Sequence, residues 1–484
     1  IYVPTLCDDP ELEPYGACRL CIVKVDGLRG LPSACTTPAA DGMKVTTENP
    51  EILEVRHWTA QLLLADHPLD CLTCAQCGSC RLQELVEYLG VRERLLPPMM
   101  RAAKIDDSNA CYAIDMHKCI LCGLCVRACA EVQHLGAIDL VNRGYASAVE
   151  PFGGGPIKDS ICESCGECVE RCPTGALTTR QHLRPEREAS TVCPYCGTGC
   201  RIILGTRGDT VVSARGDIDS PVSRGRLCVK GRFGSFEFLS HPDRLKTPLI
   251  RVADGFREAS WEEALALVAR ELKKYRGDTF GGLSSAKVTN EDNYVFQKFV
   301  RAAMGTNNVD HCARLCHSST VAGLALSFGS GAMTNSADDL LNAEVILVTG
   351  SNTTENHPII GLKIREAIAR GSKLLLFDPR QIQLSQIATL WARQRPGTDV
   401  AWINGLMHVI IRDGLMQTEF INSRTEGAEA VQKLVAAYTP ERVMEITGVP
   451  AELIVEAARL YATAERASIV YSMGITQHTT GVDN

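Results

Sequence analysis

The sequence predicts a multidomain α/β protein in which small cysteine-rich domains precede one larger α/β region. Two observations lead to this prediction. Most of the 23 cysteines lie at or before Cys228, in runs with two-residue spacings. After about residue 245, continuous apolar segments typical of buried parallel strands alternate with helical patterns. A chain of 484 residues has room for several such domains.

The composition argues against several classes of protein. The net charge of −7 disfavours a nucleic-acid or anionic-membrane partner, and no apolar run reaches the length of about eighteen residues that a membrane span needs. No signal peptide is visible, although the chain opens at Ile1 and we expect it to start within a domain. The odd number and close spacing of the cysteines favour metal binding in a reducing, cytoplasmic compartment over disulfides.

Residues 1–58 are predicted to form a [2Fe–2S] ferredoxin-like domain that is incomplete at its N-terminus. A tight loop carries two cysteines and is followed by a strand over residues 22–25 and a turn at Asp26-Gly27. Two cysteines in a tight loop, together with cysteines farther along the chain, suit a [2Fe–2S] cluster. A zinc site is the alternative. The spacing resembles the N-terminal domain of the large iron–sulfur subunit of respiratory complex I. The predicted ligands are Cys7, Cys18, Cys21 and Cys35.

Residues 59–100, which begin within a predicted helix over 50–65, offer two ligand sets for a [4Fe–4S] cluster. One set is the run Cys71, Cys74, Cys77 and Cys80. The stretch from His67 to Cys71 resembles the His-Cys₃ site of the complex I and iron-hydrogenase family. That resemblance implies His67, Cys71, Cys74 and Cys80, which is the set we predict. Cys77 is extra relative to the family pattern.

Residues 101–185 carry the spacing of a bacterial ferredoxin with two [4Fe–4S] clusters. In this pattern the fourth cysteine of each run binds the cluster of the other run. Cys111 fits neither run, and we interpret it as structural. One cluster is predicted on Cys119, Cys122, Cys125 and Cys172, and the other on Cys162, Cys165, Cys168 and Cys129.

Residues 190–244, after a predicted charged linker over 183–190, supply ligands for a fourth [4Fe–4S] cluster. These ligands are Cys193, Cys196, Cys200 and Cys228. The five clusters together use nineteen of the 23 cysteines and His67, which leaves Cys77, Cys111, Cys312 and Cys316. We interpret Cys312 as a residue that packs in the core.

The fourth run and a later stretch together carry a family resemblance. Cys193-x₂-Cys196-x₃-Cys200 followed by Cys-Val-Lys-Gly at 228–231 resembles the opening domain of molybdenum and tungsten oxidoreductases with two pyranopterin guanine dinucleotides. Within that family, residues 310–317 resemble formate dehydrogenases, in which a selenocysteine or cysteine at the position of Cys316 binds the metal. The order of domains resembles cytoplasmic NAD-linked or hydrogen-linked formate dehydrogenases. Taken alone, Cys316-His317 fits a buried pair in a helix better than a metal site, because free cysteine is often a small core residue. The upstream cysteine runs reverse that preference.

Residues 245–484 are predicted to be the αβα region of a molybdopterin oxidoreductase. Ser260 and Glu263 form a capping box for a helix whose apolar face includes Leu265 and Val268. Strands are predicted over 344–350, 374–380 and 468–474, with a helix over 360–370, and ligands bind beyond the carboxyl ends of such strands. The family resemblance implies cofactor contacts at Lys230, Gly350, Asn352, Thr353, Glu355, His357, Asp378, Arg380, Gly397, Thr398 and Asp399. The loop after the third strand adds Gly474, Gln477 and His478 as candidates by its position.

The resemblance implies reversible two-electron oxidation of formate to CO₂ at molybdenum or tungsten. The implied catalytic residues are Cys316 as metal ligand, His317 as proton acceptor and Lys230 on the electron path, whose alternative is a surface lysine. Electrons would leave through the five clusters to a flavin- and NAD-binding subunit or a hydrogenase module. We expect the chain to be a fragment that lacks the family's C-terminal pterin-binding domain. The alternatives are a complex I-type electron conduit with an inactive pterin domain and a related nitrate reductase.

Overall fold

The computed structural model describes residues 1–180, 183–234, 237–333 and 335–484. The chain divides into two compact units. The first contains Ile1–Tyr195 and Gly199–Ser240, and the second contains Cys196–Thr198 and His241–Asn484. Within the described residues, no helix is both long enough and apolar enough to cross a membrane.

The first unit opens with one short antiparallel strand pair and two helices. The elements are β1 (Lys24–Val25), β2 (Val45–Thr46), α1 (Pro50–Ala65) and α2 (Arg81–Tyr88). Helix α1 has the predicted bounds because the Asn49 side chain caps it, accepting a hydrogen bond of 2.8 Å from the Ile52 N–H. The predicted strand over 22–25 is shorter, since Ile22 forms only an isolated bridge with Ser33.

The cysteine runs of the ferredoxin-like region each lead into a short helix. The elements are β3 (Ile105–Asp106), β4 (Tyr112–Asp115), α3 (Leu124–Arg127), β5 (Asp139–Val141), β6 (Ala148–Glu150), α4 (Glu167–Arg171) and β7 (Leu177–Thr179). Strand β4 lies between β3 and β7, and β5 pairs with β6. Helices α3 and α4 contain equivalent cysteines, Cys125 and Cys168, as the pseudo-repeat of the sequence requires.

A three-stranded antiparallel sheet follows, made of β8 (Arg187–Val192), β9 (Arg201–Arg207) and β10 (Thr210–Gly216), with β9 in the centre. The predicted linker over 183–190 is therefore wrong from Arg187 onward. The segment is exposed, and it forms an edge strand because its backbone pairs with β9; this pairing does not depend on apolar side chains. Helix α5 (Val229–Phe233) begins directly after Cys228.

The second unit begins with a hairpin and two helices. Its first elements are β11 (Leu249–Val252), β12 (Gly255–Glu258), α6 (Trp261–Leu272), β13 (Gly282–Ser284), α7 (Asn290–Ala302), β14 (Val309–His311), α8 (Ala313–Cys316) and α9 (Ser318–Phe328). Ser260 caps α6 as predicted, accepting a hydrogen bond of 3.1 Å from the Glu263 N–H. The apolar face of α6 is not buried in this unit: Leu265 is 60% exposed and Val268 51%.

A four-stranded parallel sheet forms the centre of the second unit. Its strands have the order β17-β16-β15-β18. The remaining elements are β15 (Val345–Thr349), α10 (Thr353–Asn356), α11 (Pro358–Ala369), β16 (Lys373–Phe377), β17 (Leu390–Ala392), α12 (Asp399–Arg412), α13 (Thr418–Arg424), α14 (Ala428–Val435), α15 (Pro440–Thr447), α16 (Ala451–Ala462), β18 (Ala467–Tyr471) and α17 (Met473–Thr476).

Alternate residues of β15 and β16 are buried on opposite faces of this sheet. Leu347 and Phe377 pack with Trp402 of α12 and with residues of α15 and α16. Ile346 and Leu376 pack on the other face with the α11 side. All five residues of β15 are buried and the first four are apolar, as is typical of strands in parallel sheets; the fifth is Thr349. The predicted βαβ unit and αβα layering are confirmed.

Candidate functional site

The N-terminal loop brings its four predicted ligands into two close pairs. The Cys18 N–H donates to Cys7 Sγ at 3.4 Å, and Cys21 Sγ lies 3.4 Å from Cys35 Sγ. The hydrogen bond from the Cys7 thiol lowers the pKa of Cys18 to about 5 against the opposing effect of burial, and backbone N–H groups add to the lowering. The loop thus favours a thiolate, the form in which cysteine binds metals.

A cavity of 380 Å³ is lined by both candidate ligand sets for the second cluster, His67 with Cys71, Cys74, Cys77 and Cys80. His67 is buried, and its Nδ1 has no hydrogen-bond partner among the residues that the structure describes. Cys77 is the exposed member of the group. A buried ring nitrogen without a partner fits a metal ligand, which favours the set that contains His67. The set of four cysteines lines the same cavity.

The two ferredoxin runs have the same unusual backbone. Leu121 and Ser164, each two residues after the first cysteine of a run, have φ of +53° and +54°. Their N–H groups donate to Cys119 Sγ and Cys162 Sγ at 3.4 and 3.3 Å. A left-handed residue that is not glycine costs about 1–2 kcal/mol, so the repeated strain indicates backbone shaped around a group that accepts N–H bonds.

The exchange of the fourth cysteines between runs agrees with the positions of these residues. Cys119, Cys122, Cys125 and Cys172 line one small internal cavity. Cys129 lies close enough to Cys162 and Cys165 for their charges to interact. Burial raises the pKa of Cys119 to about 11 and of Cys122 to about 12, so cluster binding must displace their protons.

No three His, Cys, Asp or Glu side chains among the described residues converge closely enough to hold a single metal ion. Cubane ligands need no such convergence, because each cysteine binds a different iron atom. The buried sulfurs, the N–H bonds to them and the unpaired His67 nitrogen fit iron–sulfur clusters.

Two ligands predicted from the fourth run, Cys193 and Cys228, lie at the start of α5 in the first unit. The Cys193 N–H donates to the Cys200 carbonyl at 2.8 Å, and Cys228 is the N-cap of α5. A Cβ on Gly231 would lie 3.6 Å from Cys193 Sγ, so this sulfur lies beside the first turn of the helix. Cys196 belongs to the second unit. Lys230 is the second residue of α5 and is half-buried.

The carboxyl edge of the parallel sheet brings the predicted cofactor loops together. Gly350 follows β15 with a φ of +56°, and the Gly474 N–H after β18 donates to its carbonyl at 3.1 Å. A Cβ on Gly474 would lie 2.4 Å from Gly350 Cα, so neither loop tolerates a side chain here. Asn352, whose side chain accepts from Thr354 at 3.0 Å, precedes α10 at the same edge.

Three buried polar atoms at this edge have no hydrogen-bond partner among the described residues. They are Thr349 Oγ1, Thr353 Oγ1 and Gln394 Oε1. Leaving such an atom unpaired costs about 1–3 kcal/mol. A bound group rich in amide and phosphate atoms, as a pyranopterin dinucleotide is, would satisfy them. The residues therefore fit the predicted cofactor. Thr349 and Gln394 were not among the predicted cofactor contacts, although Thr349 ends a strand directly before Gly350.

The predicted acidic residues occupy different environments at this edge. Asp378 follows β16, and burial raises its pKa although its carboxylate accepts from the Arg380 N–H at 2.8 Å. Asp399 is buried and accepts from Trp402 Nε1–H at 3.1 Å, with His478 Nε2 4.0 Å away. The other predicted contacts lie in or beside the same loops: Glu355, His357, Gly397, Thr398 and Gln477.

Cys316 is hydrogen-bonded to this same edge of the sheet. It is the last residue of α8, and Thr476 Oγ1–H of α17 donates to its carbonyl at 2.6 Å. Ser319 Oγ–H in turn donates to the Thr476 carbonyl at 2.9 Å. His317 Nδ1 lies 3.1 Å from Thr320 Oγ1, which orients the ring. Burial raises the pKa of Cys316, and the neighbouring Cys312 adds to the shift.

Cys312 does not pack in the core, contrary to the interpretation of the leftover cysteines. It is exposed at the N-terminus of the four-residue helix α8, and its Sγ accepts a hydrogen bond from the Ala286 N–H at 3.3 Å. Cys111, by contrast, packs against the ferredoxin core as a structural residue would.

The chain matches five protein families in order. Residues 1–50 match a 2Fe-2S iron-sulfur cluster binding domain, 56–94 the NADH-ubiquinone oxidoreductase-G iron-sulfur binding region, and 118–176 a 4Fe-4S dicluster domain. Residues 186–238 match the Molybdopterin oxidoreductase Fe4S4 domain and 244–484 Molybdopterin oxidoreductase. The last two matches cover more than half of the chain, which belongs to the molybdopterin oxidoreductase family. The predicted family is confirmed.

Particular relatives carry different activities in their names. The F420-dependent formate dehydrogenase 1 subunit alpha of Methanococcus maripaludis is 49% identical over 294 residues, 61% of this chain and 44% of that protein. The NADPH-Fe(3+) oxidoreductase subunit alpha of Geobacter sulfurreducens is 33% identical over 483 residues, 97% of this chain and 56% of that protein. Acetylene hydratase from Pelobacter acetylenicus shares the fold, with a TM-score of 0.53 and 24% identity over 59% of this chain and 40% of its own. The chain spans about half the length of these curated relatives.

Proposed function

We propose that the chain is the electron-transferring and catalytic portion of a formate dehydrogenase α subunit. Its reaction is the reversible two-electron oxidation of formate to CO₂. The observation that carries this proposal is the pair of hydrogen bonds through Thr476, which fastens Cys316-His317 to the sheet edge that holds Gly350 and Gly474. The similarity to a formate dehydrogenase α subunit, which extends over 61% of the chain, supports it.

The residues of the sheet edge hold the cofactor. A molybdenum or tungsten ion bound by two pyranopterin guanine dinucleotides supplies a two-electron acceptor. Gly350 and Gly474 allow its phosphates to approach the backbone, and Thr349, Thr353 and Gln394 donate or accept at its polar atoms. Asp378 accepts hydrogen bonds from the ribose or guanine.

Cys316 donates a thiolate to the metal, a soft-ligand role that serine and alanine cannot fill. His317 accepts the proton that formate oxidation releases. Because its Nδ1 lies beside the Thr320 hydroxyl, the proton moves at Nε2. Lys230, two residues after Cys228, is a compact positive charge on the electron path.

Four [4Fe–4S] clusters and one [2Fe–2S] cluster carry the electrons to the N-terminal domain. The ligands are those predicted above, with His67 completing the second cluster. The partner is a flavin- and NAD-binding subunit or a hydrogenase module. The many closely spaced cysteines suit the reducing cytoplasm, where thiols stay available for iron.

A complex I-type electron conduit is the second candidate. It is favoured by the match of residues 56–94 to the NADH-ubiquinone oxidoreductase-G region. A relative that spans nearly all of this chain is also named for NADPH and Fe(3+) rather than for formate. A conduit needs the clusters and does not need Cys316, His317 or a metal at the sheet edge.

Metal analysis combined with an activity assay tests the proposal. The full subunit, purified anaerobically, should contain one molybdenum or tungsten atom and about eighteen iron atoms, the sum of four four-iron clusters and one two-iron cluster. It should reduce an artificial acceptor with formate and should not reduce nitrate. Full iron content without molybdenum, tungsten or formate turnover would establish the conduit instead.

A further inference from the structure

Arg232 connects the backbones of two predicted cluster ligands. Its own N–H donates to the Cys228 carbonyl at 3.0 Å, and its side-chain Nε–H donates to the Cys165 carbonyl at 2.8 Å. Cys228 belongs to the fourth cluster and Cys165 to the ferredoxin-like pair. The side chain of Arg232 is 4% exposed. One residue thus forms a hydrogen-bonded path between the two sites.

The cysteine loop is shaped to receive this side chain. Gly166, which follows Cys165, has a φ of +80°. A Cβ at this position would lie 2.3 Å from Arg232 Cδ and 2.9 Å from its Nε. The loop therefore needs glycine both for its backbone conformation and for the passage of the arginine.

Two carboxylates hold the guanidinium in this position. Arg232 Nη2 lies 2.5 Å from Glu167 Oε1, and Nη1 lies 2.7 Å from Glu170 Oε2. Glu167 is itself 2% exposed, whereas Glu170 is 44% exposed. A guanidinium is not deprotonated in proteins, so Arg232 carries its positive charge between these two carboxylates.

The ion pairs continue toward the N-terminal domain. Arg171, directly before Cys172, pairs with Glu167 and lies 2.5 Å from Glu11 and 3.4 Å from Asp9. Arg171 is only 11% exposed. Fixed charges therefore lie between successive cysteine loops of the first unit, where screening by solvent is weak.

We propose that Arg232 is a positioning residue for electron transfer: it holds the Cys228 helix against the Cys165 loop and, through its charge, raises the reduction potential of the cluster on Cys129, Cys162, Cys165 and Cys168. This inference rests on the cluster assignment in the proposed function. During formate oxidation, one electron at a time leaves the fourth cluster, which is oxidised, and reduces this one. A higher potential here favours electron flow away from the catalytic region.

The charge reasoning gives opposite signs for two substitutions. Removing the positive charge with Arg232→Gln takes from Glu170 its ion pair with Arg232 and leaves Glu167 paired with Arg171 alone, so the net charge beside the cluster becomes more negative, which disfavours the added electron. Removing a negative charge with Glu170→Gln favours it. Both substitutions break the ion pair between Arg232 and Glu170. If the arginine had only a structural role, the two variants would therefore not shift the reduction potential in opposite directions.

Redox titration of the full cluster-loaded protein, followed by EPR, measures these shifts. Arg232→Gln should lower the ratio of reduced to oxidised cluster about tenfold at a fixed potential, which is a shift of about 59 mV for one electron. Glu170→Gln should shift the same cluster to a higher potential, and Arg232→Lys should retain most of the original potential. The control is Arg207→Gln, an exposed arginine paired with Glu186 at 3.3 Å on the separate antiparallel sheet, and it should shift nothing.

Each outcome decides a separate question. If Arg232→Gln misfolds and loses iron, Glu170→Gln still tests the direction of the potential shift, because the Glu170 side chain is half-exposed. Unchanged potentials in Glu170→Gln, or equal shifts in the control, overturn the inference while leaving the cluster assignment intact. If the unsubstituted protein does not show the signals of the two ferredoxin-type [4Fe–4S] clusters, the cluster assignment is refuted and the inference loses its basis.

Discussion

Gly175 offers a direct test of whether Cys74 binds iron. A Cβ at residue 175 would lie 2.6 Å from Cys74 Sγ and 3.3 Å from Lys118 Cδ. Gly175 has a negative φ, so Gly175→Ala introduces this contact without backbone strain. An ordinary contact is at least 3.4 Å, and the two atoms must therefore separate by about 0.8 Å in the variant.

The cost of that separation depends on what holds the sulfur. An unbound cysteine side chain relieves the clash by rotating to another staggered rotamer. A sulfur bound to iron cannot rotate, and forced overpacking of this kind costs about 1–3 kcal/mol. We therefore expect Gly175→Ala to distort or lose the second cluster, lowering the iron content from about eighteen to about fourteen atoms.

Iron analysis and EPR of the reduced protein measure this effect. The control is Gly155→Ala, because residue 155 also lacks a positive φ and a Cβ there would meet nothing within 4 Å. Full iron content and an unchanged spectrum in Gly175→Ala would refute the assignment of Cys74 as a ligand. Equal iron loss in both variants would show that the effect is not local.

Three further predictions concern the second cluster, proton transfer and the core of the second unit. His67→Ala should alter or remove one EPR signal while Cys77→Ala leaves the spectrum intact; the reverse result means that the four cysteines bind without the histidine. His317→Ala should lower kcat for formate by about 10²–10⁴-fold with all cluster signals retained, and a loss below threefold would exclude it as the proton acceptor. Trp402→Ala should destabilise the second unit by about 3–5 kcal/mol in denaturant unfolding, because Trp402 is 2% exposed and stacks on Phe377 with ring centroids 4.1 Å apart; an unchanged unfolding midpoint would contradict the described core.

Local sequence signals predicted the parts of the fold whose causes are local. Helix α1 was predicted with its observed bounds because the Asn49 cap and the proline at its first position both mark its start. The buried strands β15 and β16 were predicted from continuous apolar runs. Strand β17 has only three residues and was missed, since so short a segment has no detectable periodicity.

Long-range contacts account for what the sequence could not predict. The side chain of Arg232 reaches Cys165, 67 residues earlier, and no spacing rule relates these two positions. The link between Thr476 and Cys316 joins residues 160 apart. The apolar face of α6 and the exposure of Cys312 depend on which elements pack nearby, information that helical periodicity does not contain.

Formate turnover by Cys316→Ala, compared with Cys312→Ala, tests the central claim most directly. Both variants remove a thiol from the same short segment, but only Cys316 is fastened to the sheet edge through Thr476. The account predicts that Cys316→Ala abolishes formate oxidation with all iron–sulfur signals intact, whereas Cys312→Ala stays close to the unsubstituted rate. Near-normal formate turnover by Cys316→Ala would contradict the proposed role of this residue at the metal.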